Sequence, residues 1–371
     1  MTSQILVLGT DEAGYGPNLG PLTVGASCWL APNRPAPSTS DPPGDSLLAF
    51  LPPAATPNAT LDQGFSPDAL NDALSPFAGN RKSVFPLVDS KKLFGATRAL
   101  ATLERPCMIA QTLAGIDAPD FRTLLERLKA DASDSLPPWE VDANLALPSD
   151  PKTLREPLEE SVEAIRRRLD ASDTRLLLLA ARRVQPREFN ALDDRLGLKS
   201  AIIAEITTSL VVETLDRALR ALGDAAPERA LVLCDKLGGS ARYAATLKKR
   251  FQCDDVKILR EGRDASVYRL AASGGIDRAG AFLSFPRRVK LEVRFTAKGE
   301  KNAPTALASI VAKYLRELSM RLFNDFWSRA VSPRELRETA GYPVDAARFR
   351  EETEDARRAL EIPDDLFWRR K

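Results

Sequence analysis

Two acidic residues, Asp11 and Glu12, directly follow the first apolar segment of the chain, residues 5–10. Consecutive residues of a strand point to opposite faces, so both carboxylates can face one site only if the chain leaves the strand at Glu12. The glycines that follow, Gly14 and Gly16, permit such a departure. Two carboxylates that lie close together repel each other unless a cation lies between them. The pair therefore indicates a divalent metal site, with a solvated acidic turn as the alternative.

Two further acids occupy similar positions far along the chain. Asp235 follows a predicted strand at 230–234, and Glu300 follows another at 289–295. Hard cations such as Mg²⁺ and Mn²⁺ prefer oxygen ligands, and four carboxylates can bind two such ions roughly 3.5 to 4 Å apart. The chain contains no histidine, which excludes histidine-based zinc sites and the usual catalytic triads.

Several segments resemble one family. Residues 11–17, D-E-A-G-Y-G-P, resemble the D-E-A-G-x-G-P signature of the type 2 ribonucleases H, which include ribonucleases HII and HIII. Further segments similar to this family follow in the family's order: 89–93 (D-S-K-K-L), 184–190, 233–235, 296–300 with 308–314, and 341–345 (G-Y-P-V-D). These matches cover about half of the chain, in blocks separated by unmatched sequence.

The resemblance implies an α/β ribonuclease H-like fold, in which helices flank a central mixed β-sheet. It implies hydrolysis of the RNA strand of RNA/DNA hybrids with two Mg²⁺ or Mn²⁺ ions, which activate the attacking water and stabilise the leaving oxygen. Four acids are implied as both catalytic and metal-binding: Asp11, Glu12, Asp235 and Glu300. A second set is implied to contact the substrate: Gly14, Tyr15, Gly16, Lys313 and Tyr342.

The chain departs from the family pattern at two places. Where the family has G-R-G, this chain has Tyr15 between the two glycines, so the arginine is absent and the glycine amides remain. The spacing from Glu300 to Ser309 is one residue shorter than in the family. Two alternatives therefore stay open: a non-catalytic protein that binds hybrids or acts as a scaffold, and a related two-metal nuclease that acts on DNA junctions.

Composition sets the outer limits. The chain has 371 residues, of which 44% are hydrophobic, and this is enough for a large core. No apolar run approaches the roughly 20 residues that span a bilayer, and the amino terminus lacks the pattern of a secretory signal. The four cysteines show no C-x-x-C spacing, so we expect reduced, mostly buried thiols in a cytoplasmic protein. The net charge of +2 gives only weak support for nucleic-acid binding, and we expect a monomer.

The sequence predicts one catalytic domain with insertions. Residues 1–330 form this domain, interrupted by a Pro-rich loop at 31–80 and by a second insertion at 104–170. Residues 331–371 are predicted to form a helical extension, which could dock through Phe349 and Leu360.

Two other segments have a predicted role. Residues 190–222 carry apolar residues at helical spacing, which predicts one core helix packed on the sheet. A group of basic residues clusters on the segment around Glu300 and is typical either of a phosphate-binding track or of a solvated edge strand. Its members are Arg287, Arg288, Lys290, Arg294, Lys298 and Lys301.

Overall fold

The computed structural model describes residues 3–33, 65, 67–95, 99–131, 136–154 and 157–370, with the side chain of Glu300 left out. Most of the predicted Pro-rich loop, from residue 34 to residue 64, lies outside the described residues. The division of the chain into a catalytic domain, insertions and an extension stays a prediction.

The centre of the molecule is a seven-stranded sheet in the described part of the chain, with the order β3-β2-β1-β4-β7-β6-β5. Pairing is parallel between β1 and β4 and between β4 and β7, and the other neighbours are antiparallel. The strands are β1 (Gln4–Ala13), β2 (Leu22–Pro32), β3 (Arg175–Val184), β4 (Arg229–Asp235), β5 (Lys257–Glu261), β6 (Ala265–Ile276) and β7 (Phe282–Thr296).

Helices account for most of the remaining described structure. They are α1 (Asp68–Leu74), α2 (Ser90–Gly95), α3 (Ala101–Leu113), α4 (Phe121–Leu128), α5 (Pro138–Val141), α6 (Leu158–Ala171), α7 (Pro186–Leu196), α8 (Lys199–Leu222), α9 (Ala244–Phe251), α10 (Ala303–Ala330), α11 (Pro343–Glu352), α12 (Glu354–Ala359) and α13 (Asp364–Phe367). Short 3₁₀ turns lie at Pro151–Leu154, Gly223–Ala225 and Gly299–Lys301.

The sheet separates two apolar cores, as the alternation along β1 shows. Ile5 and Val7 pack with residues of α10 on one face, whereas Leu6 and Leu8 pack with residues of α8 on the other. Successive strand residues point to opposite faces, so a strand that is apolar throughout must be covered on both sides. The expected α/β fold, a central mixed sheet flanked by helices, is confirmed.

Helix α10 lies directly on the first two strands. A methyl group on Gly9 would lie 2.1 Å from the carbonyl carbon of Pro304, and one on Gly25 would lie 2.3 Å from the carbonyl oxygen of Ala308. Ser27 donates a 2.8 Å hydrogen bond to the same Pro304 carbonyl. Only glycine allows this approach of helix to strand. These contacts fix the first turn of α10 beside the end of β1.

The prediction of one helix over 190–222 is wrong. The segment contains the end of α7 and the whole of α8, and the break lies at Gly197 and Leu198. Gly197 has a φ of +69° and donates its N–H to the carbonyl of Asp193 at 2.8 Å. A glycine in the left-handed region is a common helix end, and it overrides the apolar periodicity that continues across it.

The carboxyl-terminal segment is helical, as predicted, and packs on the end of α10. Phe349 is fully buried in a cluster that includes Trp327. The prediction for Leu360 is wrong, because 49% of this residue is exposed. Ile362 and Phe367 are the buried residues of that region. A charged helix with few apolar residues does not indicate from sequence which of them is buried.

Other expectations concern membranes and thiols. Among the described residues, the search for a helix long and apolar enough to cross a bilayer found none. Cys28, Cys107 and Cys234 are buried and Cys253 is half-buried, and all four are free thiols. The prediction that the cysteines are unpaired and mostly buried is confirmed.

Candidate metal centre

Strand β1 carries both Asp11 and Glu12, and the expected departure of the chain at Glu12 is wrong. Glu12 pairs with Val24 of β2, and the strand continues to Ala13. On its other side, β1 pairs with β4 only as far as Thr10. The strand is therefore held from one side only where it carries the acids, because the antiparallel partner β2 extends further than β4.

The three acids of β1 and β4 meet at one edge of the sheet. Asp11, Glu12 and Asp235 each place a carboxylate oxygen within 4.8 Å of the others, and all three residues are partly buried. They meet because β1 and β4 are parallel neighbours, so their carboxyl ends lie at the same edge. The structure thus brings together three of the four predicted acids.

The backbone around the fourth acid lies beside Asp235. Thr296, at the end of β7, pairs with Asp235, and the Gly299 N–H donates to Asp235 Oδ1 at 2.9 Å. A methyl group on Gly299 would lie 2.9 Å from the Cα of Asp235. The 3₁₀ turn Gly299–Lys301 carries Glu300. The role of the Glu300 side chain as a metal ligand stays a prediction.

Burial and mutual repulsion make the three-acid cluster unfavourable without a cation. Burial raises the pKa of Asp11 well above its ordinary value, and the charges of Glu12 and Asp235 raise it further. Burial and then the charge of Asp235 raise the pKa of Glu12 to about 7. Without a metal ion both groups therefore hold their protons to a higher pH than usual, and binding of a metal ion would displace these protons.

The donor set fits a divalent cation. Oxygen Oε2 of Glu12 is buried and has no hydrogen-bond partner among the described residues. A buried polar atom without a partner costs free energy, roughly 1–3 kcal/mol, so such an atom in a native site calls for a ligand. The cluster offers only carboxylate oxygens, which suit Mg²⁺ or Mn²⁺ better than softer metals.

Two neighbours of the acids were missed by sequence reasoning. The positive charge of Lys91 lowers the pKa of Glu12, and a hydrogen bond with Ser309 lowers the pKa of Asp11. The hydroxyls of Ser90 and Ser309 lie 2.9 Å apart, so α2 and α10 meet beside Asp11. The motif at 89–93 could have indicated this proximity, since it contains Ser90 and Lys91.

The segment that follows the acids, residues 14–18, is the glycine loop, and it reaches Tyr342. Gly14 has a φ of +88°, and a methyl group there would lie 2.5 Å from Nε of Arg316. Gly16 is exposed, and a methyl group on it would lie 3.7 Å from Cε1 of Tyr342. The tyrosine is 55% exposed. Structure therefore brings two of the predicted substrate residues, Gly16 and Tyr342, to one exposed surface.

Tyr15, which stands where the resembling family has arginine, packs against the start of α8. The Lys199 ammonium lies 5.2 Å from the centre of the Tyr15 ring. The hydroxyl of Tyr15 lies close to Gly238, because a methyl group on that glycine would be 2.7 Å from it. Burial and the charge of Glu12 raise the pKa of Tyr15. The ring thus links the glycine loop to the segment that follows Asp235.

Lys313 contacts groups other than the three-acid cluster. It forms an ion pair with Glu317, one helical turn along α10, and its ammonium lies 4.9 Å from the ring centre of Phe94. The ion pair lies within α10, and the contact with Phe94 joins α10 to α2. A contact between Lys313 and substrate phosphate stays a prediction.

Two of the basic residues near Glu300, Lys290 and Arg294, do not lie on an edge strand, because β7 pairs there with both β4 and β6. The edge-strand alternative is wrong for these two residues. Arg287 donates to the carbonyls of Ala226 and Asp224, and Arg294 pairs with Glu292. These two arginines are therefore engaged in contacts that stabilise the fold.

Solved structures similar to this chain are ribonucleases H2, HII and HIII. The ribonuclease H2 of Pyrococcus horikoshii OT3 is 15% identical with a TM-score of 0.40, and the match covers 98% of this chain and 92% of that one. RNase HII of Archaeoglobus fulgidus, in its complex with PCNA, is 15% identical with a TM-score of 0.36 and coverage of 99% and 96%. Bst-RNase HIII in complex with Mn²⁺ is 14% identical with a TM-score of 0.34 and coverage of 100% and 68%. No protein-family model matches the chain, and the search of curated proteins found no match.

Proposed function

We propose that this protein is a metal-dependent endoribonuclease that hydrolyses the RNA strand of RNA/DNA hybrids. The observation that carries the proposal is the three-acid cluster, in which Asp11, Glu12 and Asp235 place carboxylate oxygens within 4.8 Å of one another. One of these oxygens, Glu12 Oε2, is buried without a hydrogen-bond partner in the described part of the chain. Such a cluster is suited to binding a divalent metal ion.

The three carboxylates would hold the metal, and the resemblance to type 2 ribonucleases H adds Glu300, which the turn Gly299–Lys301 carries, as a fourth ligand. When bound, divalent cations supply positive charge that activates water and offsets the charge on a departing oxygen. The backbone N–H of Gly299 orients the Asp235 carboxylate, and the Ser309 hydroxyl orients that of Asp11. With these carboxylates fixed, no histidine is needed as a general base, in agreement with its absence from the sequence.

Selectivity for RNA is assigned to the glycine loop. Gly16 is exposed next to the three-acid cluster, and the ring of Tyr342 lies against it. Peptide amides at Gly14 and Gly16 would contact the 2′-hydroxyl, the group by which a protein distinguishes RNA from DNA. The half-exposed tyrosine would pack on the neighbouring sugar. The similarity of residues 11–17 and 341–345 to type 2 ribonucleases H supports this assignment.

A cleavage assay with a panel of labelled substrates tests the proposal. The panel contains an RNA/DNA hybrid, duplex DNA, duplex RNA, a duplex with one embedded ribonucleotide, and a branched DNA, each with Mg²⁺, Mn²⁺ or a chelator. We expect metal-dependent cleavage of the RNA strand of the hybrid and its loss in Asp235→Asn. Asp170→Asn, which changes an exposed aspartate of α6, is the matched control and should cleave normally.

Three outcomes would overturn the proposal. Hybrid binding without metal-dependent cleavage would favour the non-catalytic scaffold. Preferential cleavage of branched DNA would favour the junction nuclease. Cleavage that persists in Asp235→Asn would show that the activity does not depend on the three-acid cluster.

A further inference from the structure

The carboxyl-terminal tail of the described chain packs beneath the glycine loop. Arg369 is fully buried, and its Nη2 donates to the carbonyl of Gly14 at 2.7 Å and to that of Pro17. Its backbone N–H donates to the Asn18 carbonyl at 2.8 Å, and the Asn18 side chain donates back to the Arg369 carbonyl at 2.9 Å. Four hydrogen bonds thus join one residue to residues 14–18.

The surroundings of Arg369 are unusual for a buried cation. The ion pairs of the described residues include none to Arg369, and its Nε and Nη1 have no hydrogen-bond partner there. Burial and the nearby charge of Arg316 lower its pKa to about 9, so it is still charged at neutral pH. Its guanidinium lies 5.0 Å from the ring centre of Phe189. Burying a cation without a carboxylate costs stability, so stability alone does not explain this residue.

We propose that Arg369 is a positioning residue for the glycine loop. This role rests on the proposed function, and Arg369 acts through the loop without touching the hybrid. A peptide bond is planar and trans, so its C=O and the next N–H point in opposite directions. When Arg369 draws the carbonyl of Gly14 toward itself, the N–H of Tyr15 points the other way, so the peptide plane between the amides of Gly14 and Gly16 is fixed. The buried positive charge also strengthens the attraction of this loop for phosphate.

The neighbouring Arg370 offers a matched control in the same tail. It is half-exposed, pairs with Asp194 at 2.7 Å, and contacts Asn190 of α7 through its backbone N–H and its guanidinium. None of these contacts reaches the glycine loop. Replacing Arg370 therefore removes a basic side chain from the tail without removing a bond to residues 14–18.

The test compares Arg369→Met with Arg370→Met. We expect Arg369→Met to raise the Kd and KM for the hybrid about tenfold, because hydrogen bonds from a charged donor to the loop are lost. The turnover number kcat should change by less than about threefold, and Mn²⁺ affinity should not change, because the three acids are untouched. Hydrogen exchange at the amides of residues 14–16 and 18 should accelerate in Arg369→Met only; Pro17 has no N–H.

Addition of guanidinium ion at concentrations that do not unfold the protein should restore part of the lost affinity to Arg369→Ala, whose missing side chain leaves room for it. A larger fall in kcat than rise in KM, or equal effects of Arg369→Met and Arg370→Met, would overturn the inference.

A second variant serves if Arg369→Met does not fold. Arg369→Lys keeps the charge but not the planar set of donors of the guanidinium, and it should give an intermediate KM. A normal KM in Arg369→Lys would contradict the inference. If the wild-type protein cleaves no substrate, the proposed function fails, and hydrogen exchange at residues 14–18 still decides whether Arg369 positions the loop.

Discussion

The backbone N–H of Gly299 donates a 2.9 Å hydrogen bond to Asp235 Oδ1. This bond joins the turn that carries Glu300 to the third acid of the cluster, although Asp235 ends β4 and the turn follows β7. Parallel pairing of β4 with β7 brings them together, since Asp235 and Thr296 are register partners. Strand register therefore determines which acids can share a cation.

Glu12→Gln should weaken metal binding and stabilise the metal-free protein. Loss of a group that only hydrogen-bonds to a metal ligand costs roughly 10–100-fold in metal affinity, so loss of a ligand itself should cost at least as much. The substitution also removes the buried carboxyl group of Glu12, whose pKa is raised to about 7. At pH 8 we expect an increase of roughly 1–3 kcal/mol in the free energy of unfolding without metal. Denaturant unfolding measures the stability of the metal-free protein, and Mn²⁺ titration measures the metal affinity. A metal-free variant less stable than the wild type would contradict the prediction.

The stability of the metal-free protein should depend on pH through the same residue. The pKa of Glu12 is 4.5 in ordinary surroundings and about 7 in the folded protein. The folded state therefore binds the proton more tightly, and the stabilisation is fully present below about pH 4.5 and is lost as the pH rises through about 7. The raised pKa of Asp11 acts in the same direction.

Thermal melts between about pH 5 and pH 8 test this dependence. The wild-type protein should lose stability relative to Glu12→Gln as the pH rises, and added Mn²⁺ should stabilise the wild type most at the upper end. A constant difference between the two proteins across this range would contradict the assigned titration.

Tyr342→Ala should weaken hybrid binding without destabilising the fold. The ring is 55% exposed and lies against Gly16, so few buried contacts are lost. Loss of one aromatic contact to nucleic acid costs about 1–3 kcal/mol, which corresponds to a rise in Kd of roughly 5- to 150-fold. Val344→Ala, at a position 89% exposed, is the control. Fluorescence anisotropy with a labelled hybrid measures both, and equal affinities would exclude Tyr342 from the interface.

Gly9→Ala should be strongly destabilising. The added methyl group would lie 2.1 Å from the carbonyl carbon of Pro304, and helix backbone cannot move aside as a flexible side chain can. Overpacking of this kind typically costs about 1–3 kcal/mol, and here α10 must shift as a whole. Gly95→Ala, where the methyl group meets nothing within 4 Å, should change stability little. Urea unfolding distinguishes the two, and a neutral Gly9→Ala would show that α10 lies further from β1.

The sequence predicted the acids of the cluster better than their surroundings. Asp11 and Asp235 follow apolar strands and precede glycines, which is a local signal, and parallel pairing places such strand ends together. By contrast, the break between α7 and α8 at Gly197 was not predicted, because the apolar periodicity continues through it.

The contacts of the tail could not be predicted from local patterns. Arg369 lies in a basic terminal run that is typical of a solvated tail, yet it is buried against residues 14–18. Burial there depends on the docking of α13 through Phe367, a long-range contact that no local spacing indicates. The same limitation applies to Ser309, which reaches Asp11 only because α10 lies on the glycines of β1 and β2.

Anomalous diffraction from crystals soaked in Mn²⁺ would test the metal centre most directly, with Asp235→Asn crystals as the control. The account predicts an anomalous peak within ligand distance of Asp11, Glu12 and Asp235, and a weaker or absent peak in the variant. Manganese bound elsewhere, or no peak between the three carboxylates at saturating Mn²⁺, would contradict it.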